Sequence, residues 1–281
     1  MSYDIFLILA PCSYTIRMYG FHTDRKYYFD FIHKTADGFI VPFIEEYRSL
    51  RSADKVLEIG CAEGGVLKAF TDRGHQSMGI ELSEKRVALA NEFMSEEVDN
   101  KLVQFVSKDI YDIDTESELP FKFDVILLKD VIEHIFHQEK FMARLDQFMS
   151  SDGLVFFGFP PWQMPFGGHQ QVLKSKLLSK IPYFHLLPRF LYKCILTIFG
   201  ESDYKIKEMM ELTETGLSVE KFERYVSEAG FQVVKKRHYL INPVYSFKFG
   251  LKPRKQLGLI SAIPYLRNFL TTGVYYLIQK K

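Results

Sequence analysis

The chain has 281 residues and a formal net charge of +1, and 47% of its residues are hydrophobic. This composition excludes a disordered chain, and the length is sufficient to bury a proper core in one large domain or two. The three cysteines are odd in number and far apart, which indicates neither a disulfide framework nor a metal knuckle. We therefore predict a protein of the reducing cytoplasm.

The apolar stretch at 5–10 predicts neither a signal peptide nor a membrane span. It is too short to cross a bilayer, and it lacks a preceding basic region and a clean cleavage site. The sequence leaves open whether translation begins at Met1 or at Met18.

Charge is distributed unevenly along the chain. Residues 160–200 contain five Lys or Arg and no Asp or Glu, and residues 229–281 contain ten basic residues and again no acid. The rest of the chain is therefore acidic. Such an asymmetry indicates an anionic partner or surface.

Strand-like and helix-like patterns alternate from residue 55 to residue 160. Strands are predicted at 55–60, 76–81, 102–107, 122–128 and 153–159, with amphipathic helices at 83–95 and 136–149. The elements outside this core are a helical segment at 25–50 broken near Pro42, a helix at 216–229, and strands at 231–241 and 273–279. Strands that alternate with helices favour a parallel sheet with right-handed crossovers.

A glycine-rich turn follows the first predicted strand, in "VLEIGCAEGG" at 56–65. Glycines at a strand-to-helix turn let a ligand approach the backbone next to the positive end of a helix. The turn alone is weak evidence, because it reads as G-x-A-x-x-G, a near miss to the dinucleotide fingerprint. Glu58 lies inside the strand, where burial of a carboxylate is costly unless it binds a positive or richly hydrogen-bonding group.

Further carboxylates stand at the ends of the next strands. Glu81 ends the second strand, at a distance from Gly60 that suits a ribose, and Asp109 and Asp130 follow the third and fourth strands. Because the carboxyl ends of parallel strands meet at one edge of a sheet, these residues are expected to line one crevice.

The stretch from Lys55 to Pro160 resembles the class I S-adenosylmethionine-dependent methyltransferases, in the small-molecule branch that includes the ubiquinone-pathway O-methyltransferases. The resemblance depends on "VLEIGCAEGG", "GIELS", "KDI" and "FDVILLKDVIEHI". It implies an α/β fold: a doubly wound, mostly parallel, seven-stranded Rossmann-like sheet. It also implies that an antiparallel final strand, here 273–279, is inserted between the fifth and sixth strands.

The resemblance also implies where S-adenosylmethionine binds. Glu58 and the backbone around Gly60 would hold the methionine amino group, Glu81 the ribose and Asp109 the adenine. The full predicted cofactor-binding set is Glu58, Gly60, Cys61, Ala62, Gly64, Glu81, Leu82, Asp109, Ile110, Lys129 and Asp130. The family usually has glycine where Ala62 stands, a departure that we expect to be tolerated.

Methyl transfer to a hydroxyl also requires a base, and His134, His137 and His169 are candidates. We select His134 and His169, because the first follows the fourth strand and the second lies in a Gly-flanked loop after the fifth. Alternatively, His134 only orients its loop. We assign no metal site, because the sequence provides two ligands, Glu133 and His134, where three or four are needed.

The division of the chain follows from these features. We predict a helical segment at 1–53, the cofactor-binding core at 54–160, a lid and acceptor insertion at 161–216, and a C-terminal part at 217–281 with a basic insertion at 242–271. Both insertions are expected to emerge beside the cofactor.

The lid insertion combines aromatic and aliphatic side chains with basic ones, notably at 174–199. This pattern suits peripheral contact with the inner face of a membrane, or a lipid-linked acceptor. Equally, its apolar side could pack on the domain with the lysines solvated. Nucleic acid is not expected, because the basic residues are interleaved with large aliphatic ones.

The sequence therefore predicts a methyltransferase, acting on oxygen of a small or lipid-linked anionic acceptor such as a saccharide, a quinone precursor or a lipid headgroup. One alternative is a catalytically silent module on the same fold that binds a membrane surface or a partner. A lesser alternative is an NAD(P)-dependent oxidoreductase, which would give no role to Glu58 or Asp109.

Overall fold

One eight-stranded sheet organises the part of the chain that the computed structural model describes, residues 24–281. The strands are β1 (Val56–Ile59), β2 (Ser77–Glu81), β3 (Val103–Ser107), β4 (Phe123–Lys129), β5 (Met149–Phe159), β6 (Phe231–Ile241), β7 (Arg254–Lys255) and β8 (Gly273–Lys280). Their spatial order is β3-β2-β1-β4-β5-β8-β6-β7. The apolar stretch at 5–10 and both candidate start methionines lie outside the described residues.

The predicted α/β fold is confirmed. Strands β1 to β5 pair in parallel, whereas β8 lies between β5 and β6 and is antiparallel to both. The first six residues of β8 are buried, as a strand covered on both faces requires. The predicted count of seven strands is wrong by one, because the two-residue β7 in the basic insertion pairs with β6 at the edge.

Helices cover both faces of the sheet. They are α1 (Arg25–Thr35), α2 (Val41–Glu45), α3 (Gly65–Thr71), α4 (Glu84–Phe93), α5 (Ser95–Asp99), α6 (Gln138–Arg144), α7 (Arg189–Ile198), α8 (Asp203–Thr215), α9 (Val219–Glu228), α10 (Val244–Phe249), α11 (Gly258–Ala262) and α12 (Leu266–Phe269). One apolar core packs α1, α2 and α3 against one face, and a second packs α6 and α9 against the other. The sheet is therefore the middle of three layers.

The first helical segment does not break near Pro42 as predicted. A π-helical stretch, Ala36–Ile40, joins α1 to α2, and the Val41 N–H donates to the Ala36 carbonyl five residues earlier. Proline has no N–H with which to continue the ordinary ladder. The wider turn before Pro42 absorbs this loss and keeps the helical run continuous.

The predicted helix at 136–149 is too long at both ends. His137 has a left-handed φ of 54° and precedes α6, and a 3₁₀ turn, Leu145–Gln147, follows α6. Met149 already pairs with Phe123 as the first residue of β5. The amphipathic pattern in the sequence is therefore longer than the helix, which is followed by a 3₁₀ turn and then by β5.

The lid insertion folds around a small core of its own. Three 3₁₀ turns (Gln170–Val172, Leu178–Lys180 and Phe184–Leu186) lead into α7 and α8, and Tyr192, Leu196 and Met209 are fully buried among their neighbours. Within residues 24–281, we find no helix long and apolar enough to cross a membrane.

Candidate active site

The glycine turn joins β1 to α3, and two of its glycines adopt the left-handed backbone conformation. Gly60 has a φ of 71° and Gly64 a φ of 85°. A Cβ on Gly60 would lie 2.5 Å from Cγ2 of Val131, and one on Gly65 would lie 2.8 Å from the carbonyl oxygen of Phe29 in α1. The sequence predicted that a ligand would approach the backbone at these glycines. At Gly60 and Gly65, the space that a side chain would fill is instead occupied by Val131 and by the backbone of Phe29.

Ala62 also adopts the left-handed region, with a φ of 48°. This conformation costs an alanine about 1 kcal/mol or more, which glycine would avoid. The Ala62 N–H donates to Oε2 of Glu81 at 3.0 Å, so a hydrogen bond from the second strand helps to hold the strained residue.

Glu58 is the buried carboxylate beneath the turn. It is 2% exposed, and its Oε2 atom has no hydrogen-bond partner. Burial raises the pKa of Glu58 well above its usual range, and the nearby Glu81 carboxylate adds to the shift. An acceptor atom left unpartnered at the base of a pocket is suited to a ligand that brings a positive N–H group.

A pocket lies above Glu58 at the carboxyl edge of β1 and β4. Its lining includes six of the predicted cofactor-binding residues, namely Glu58, Gly60, Cys61, Ala62, Lys129 and Asp130. Helix α1 contributes Tyr28, Phe29 and Ile32 to the same pocket. The Arg25 guanidinium pairs at 3.2 Å with Glu63, which is 1% exposed, so α1 is fastened over the turn.

The other predicted cofactor residues lie along the same edge but outside this pocket. Glu81 accepts from the Ser83 N–H at 3.0 Å, and Asp109 accepts from the Tyr111 N–H at 2.9 Å. Leu82 is 69% exposed, Ile110 is buried, and Gly64 packs towards Met94. The carboxylates therefore stand where the sequence placed them, each fixing a loop at a strand end.

The end of β4 forms the other wall of the pocket. Lys129 is buried and pairs with the carboxylate of Asp130, which has a left-handed φ of 56° and is partly exposed. On α10, burial lowers the pKa of the Lys248 ammonium, although the nearby Asp130 carboxylate acts in the opposite direction. The basic insertion thus brings a cation towards the cleft.

Two of the three candidate histidines lie together. The ring centroids of His134 and His169 are 5.1 Å apart, with the rings inclined at 59°. Desolvation lowers the pKa of both imidazoles, that of His169 to about 4, although part of the His134 side chain is exposed to solvent. His137 is exposed and pairs with Glu139 instead. The geometry fits the selection of His134 and His169, whose roles stay predictions.

Two glycines position His169 in its loop. A Cβ on Gly167 would lie 2.1 Å from the Trp162 carbonyl oxygen, and one on Gly168 would lie 2.3 Å from Cβ of His185. His185 itself is 2% exposed, and its Nε2 lies 2.7 Å from the Trp162 carbonyl. The loop after β5 is therefore packed tightly onto the lid core, with His169 at its end.

Glu133 is the residue that sequence reasoning underrated. It is 6% exposed, and neither carboxylate oxygen has a hydrogen-bond partner. One ligand atom from each of Glu133, His134 and His169 lies within 4.8 Å of the other two. The sequence named only Glu133 and His134 as possible ligands, because nothing local indicates that a loop 35 residues later supplies a third.

Comparison with known proteins identifies the family. Residues 22–184 match the family model described as a methyltransferase domain, which is more than half of the chain. The chain belongs to this family. The predicted membership of the class I S-adenosylmethionine-dependent methyltransferases is confirmed, and with it the family's cofactor.

Curated relatives match less than half of this methyltransferase. The ubiquinone biosynthesis O-methyltransferase of Azoarcus sp. is 29% identical over 103 residues, which are 37% of this chain and 42% of that protein. Nodulation protein S of Azorhizobium caulinodans is 28% identical over 113 residues, 39% of this chain and 51% of that protein. The chain thus spans about half the length of the curated relatives it matches.

Solved structures share the fold of this methyltransferase along most of its length. The plantazolicin methyltransferase, in complex with a desmethyl analogue and S-adenosylhomocysteine, has a TM-score of 0.55 at 15% identity, covering 95% of this chain and 90% of that one. An S-adenosylmethionine-dependent methyltransferase from Clostridium acetobutylicum has a TM-score of 0.53 at 12% identity, covering 88% and 92%. An NAD(P)-dependent oxidoreductase is accordingly not favoured.

The residues at the sheet edge fit S-adenosylmethionine. Glu58 offers an unpartnered buried oxygen for the amino group, Glu81 ends the neighbouring strand β2, and Asp109 follows β3, the next strand in the sheet. Helix α1 forms one wall of the pocket.

Proposed function

We propose that this protein transfers a methyl group from S-adenosylmethionine to an oxygen of a small or lipid-linked anionic acceptor, such as a saccharide, a quinone precursor or a lipid headgroup. The observation that carries the proposal is the close pair His134 and His169, whose ring centroids lie 5.1 Å apart near Asp130, on the sheet edge that holds the pocket above Glu58.

In this proposal, Glu58 binds the amino group of the cofactor, Glu81 its ribose hydroxyls, and Asp109 with Ile110 its adenine. When bound, the cofactor supplies a methyl group already activated on a sulfonium. The protein then has to hold the acceptor oxygen in line with that methyl group, at near-attack distance and away from water.

A hydroxyl acceptor must lose its proton as the new bond forms. A neutral imidazole of His134 or His169 is able to accept that proton, and such assistance contributes roughly 10²- to 10⁴-fold to the rate. The alternative, in which His134 only orients its loop, predicts a much smaller loss of rate when His134 is replaced by glutamine.

Two features support an anionic acceptor. Lys129 pairs with Asp130, the Lys248 ammonium lies close enough to the Asp130 carboxylate to feel its charge, and the two insertions include most of the first acid-free segment and part of the second. The curated relatives include ubiquinone biosynthesis O-methyltransferases, whose name indicates an oxygen acceptor in a quinone pathway.

The test is transfer of an isotope-labelled methyl group to a panel of prenylated phenolic acids, lipid-linked saccharides and phospholipids, with the product atom identified by mass spectrometry. We expect an O-methylated product from one anionic class. Methylation of carbon or nitrogen would contradict the proposal. Tight binding of S-adenosylhomocysteine without transfer to any acceptor would favour the catalytically silent module.

We also propose that residues 174–199 contact the surface of an anionic membrane. Helix α7 exposes two large apolar side chains about two turns apart, Phe190 at 77% and Ile198 at 74%. Lys193 on the same helix and Lys180 in the 3₁₀ turn Leu178–Lys180 are exposed as well, and exposed apolar side chains near cations suit the headgroup boundary of a bilayer.

We expect the protein to sediment with vesicles that contain phosphatidylglycerol and much less with phosphatidylcholine alone. Phe190→Glu should weaken this binding about tenfold or more. It removes an aromatic side chain that would enter the bilayer interface, and it adds a negative charge that the anionic lipids repel. Tyr47→Glu is the matched control: Tyr47 is 43% exposed and contacts Gln279 near the end of β8, away from the carboxyl ends of the parallel strands. Equal binding by the wild type and Phe190→Glu would refute this membrane contact.

A further inference from the structure

The cluster of Glu133, His134 and His169 has the composition of a transition-metal site. Glu133 and His134 lie in the 3₁₀ turn Ile132–His134 after β4, and His169 comes from the loop after β5. One carboxylate and two imidazoles form the His₂Glu set of zinc enzymes that keep a coordination position open. Imidazole and carboxylate ligands together favour Zn²⁺, Mn²⁺ or Fe²⁺ over Mg²⁺ or Ca²⁺.

The state of Glu133 is an independent observation. A buried carboxylate costs several kcal/mol unless a cation or hydrogen-bond donors compensate it. The Glu133 carboxylate is buried and has no hydrogen-bond partner on either oxygen, and no ion pair involves it within residues 24–281. Its ligand atom and those of the two imidazoles nevertheless converge to within 4.8 Å.

We propose that Glu133, His134 and His169 bind one divalent transition-metal ion beside the acceptor position. Ligand atoms about 2.1 Å from a tetrahedral ion lie roughly 3.4 Å apart, so atoms now within 4.8 Å of one another have to close by at most about 1.4 Å. The His169 loop after Gly168 and the 3₁₀ turn that carries the other two ligands are short, and side-chain rotation supplies this distance. The metal ligands thus come from two neighbouring strand ends of the sheet.

The proposal rests on the proposed methyl transfer and refines it. Such an ion would hold the acceptor hydroxyl at its open position and lower the pKa of that hydroxyl, so that the proton could pass to solvent before the oxygen attacks the methyl group. In that case the two imidazoles would hold the ion and would not themselves take the proton. Lys129, which pairs with Asp130, and Lys248 would lie near the anionic part of the acceptor.

The experiment measures metal binding directly, on the full chain freed of metal with a chelator and then desalted. Zn²⁺ and Mn²⁺ are titrated against a chromophoric chelator, and Co²⁺ is added separately to record its visible spectrum. We expect one equivalent of Zn²⁺ to bind at micromolar concentration or tighter, with the Co²⁺ bands of a four- or five-coordinate site. Saturating metal should raise the melting temperature by a few degrees.

The variants Glu133→Gln and His169→Gln should each weaken Zn²⁺ binding at least tenfold and remove the Co²⁺ bands. His137→Gln is the matched control, because His137 is an exposed histidine on the same segment that lies beside Glu139 and is not a member of the cluster. Glu133→Gln should not destabilise the apoprotein, since it removes a buried unpartnered carboxylate. Stoichiometric binding that survives in both variants, or no binding in the wild type, would overturn the site.

Failure of this proposal and failure of the proposed function give different results. S-adenosylhomocysteine is titrated by calorimetry into the same preparations. Nucleotide binding without metal binding would remove the metal site and leave the methyltransferase. Metal binding without nucleotide binding would keep the site and contradict the proposed function.

Discussion

Replacing Glu81 with alanine should weaken binding of S-adenosylhomocysteine about 100-fold, because two hydrogen bonds to a charged carboxylate are worth roughly 1.5 to 3 kcal/mol each. Glu81 ends β2, and its two oxygens now accept from the N–H groups of Ala62 and Ser83 at 3.0 Å. The same carboxylate therefore fixes the glycine turn and is available to the ribose. Calorimetric titration of the purified variant measures the loss.

Two further proteins make this result interpretable. Glu84→Ala is the matched control, since Glu84 is an exposed carboxylate three residues later, in the first turn of α4. It should bind S-adenosylhomocysteine as the wild type does. Glu81→Gln keeps the shape of the side chain and should lose about tenfold. Unchanged affinity in Glu81→Ala, in a folded protein, would mean that the nucleoside binds elsewhere.

Replacing Phe43 with alanine should lower the free energy of unfolding by about 3 to 5 kcal/mol, the range for a large aromatic removed from a core. Phe43 lies in α2, is fully buried, and contacts Phe156 and Tyr275 edge-on at centroid distances of 5.9 and 5.6 Å. It also lies under the cations of Lys235 and Arg237. Urea unfolding followed by circular dichroism measures the change.

The control for Phe43→Ala is Phe190→Ala, at a phenylalanine that is 77% exposed. A substitution at such a surface position should change the free energy of unfolding by about 0.5 kcal/mol or less. Equal effects of the two replacements would mean that the first helical segment does not pack on the sheet. We expect Phe43→Ala also to weaken cofactor binding. Helix α2 is joined by a continuous helical run to α1, and α1 carries Tyr28 in the pocket wall.

The sequence predicted the centre of the sheet well because β1, β4 and β8 are largely apolar on both faces. The runs around Leu57, Ile126 and Tyr276 have no amphipathic pattern to confuse them with surface helices, and the structure buries all three residues. The helix predicted at 136–149 was overextended for the opposite reason. Its amphipathic pattern continues through Phe148, but the chain turns there to begin β5, a tertiary contact that periodicity does not reveal.

For the site, the sequence identified the types of residue involved but not which of them lie together in the fold. The carboxylates at the ends of β1, β2 and β3 were predictable, because parallel strands place them on one edge. The contact between Gly65 and the Phe29 carbonyl was not, since it joins α3 to a helix outside the recognisable motif. The meeting of Glu133 with His169 likewise depends on how the lid loop folds back, which no local pattern indicates.

The position of β8 between β5 and β6 has a consequence for biogenesis. While the ribosome is still making residues 160–272, one edge of β5 is unpaired, because its partner β8 has not yet been made; Leu154, for example, pairs with Gln279. Strand β6 is then also unpaired on that side until Val274 and the rest of β8 emerge. Pairing across so long a stretch is slow, and unpaired edges of apolar strands associate with other chains. Nascent chains of this protein are therefore expected to depend on chaperones during synthesis, and fusions or tags near β8 are expected to lower the soluble yield more than those before α1.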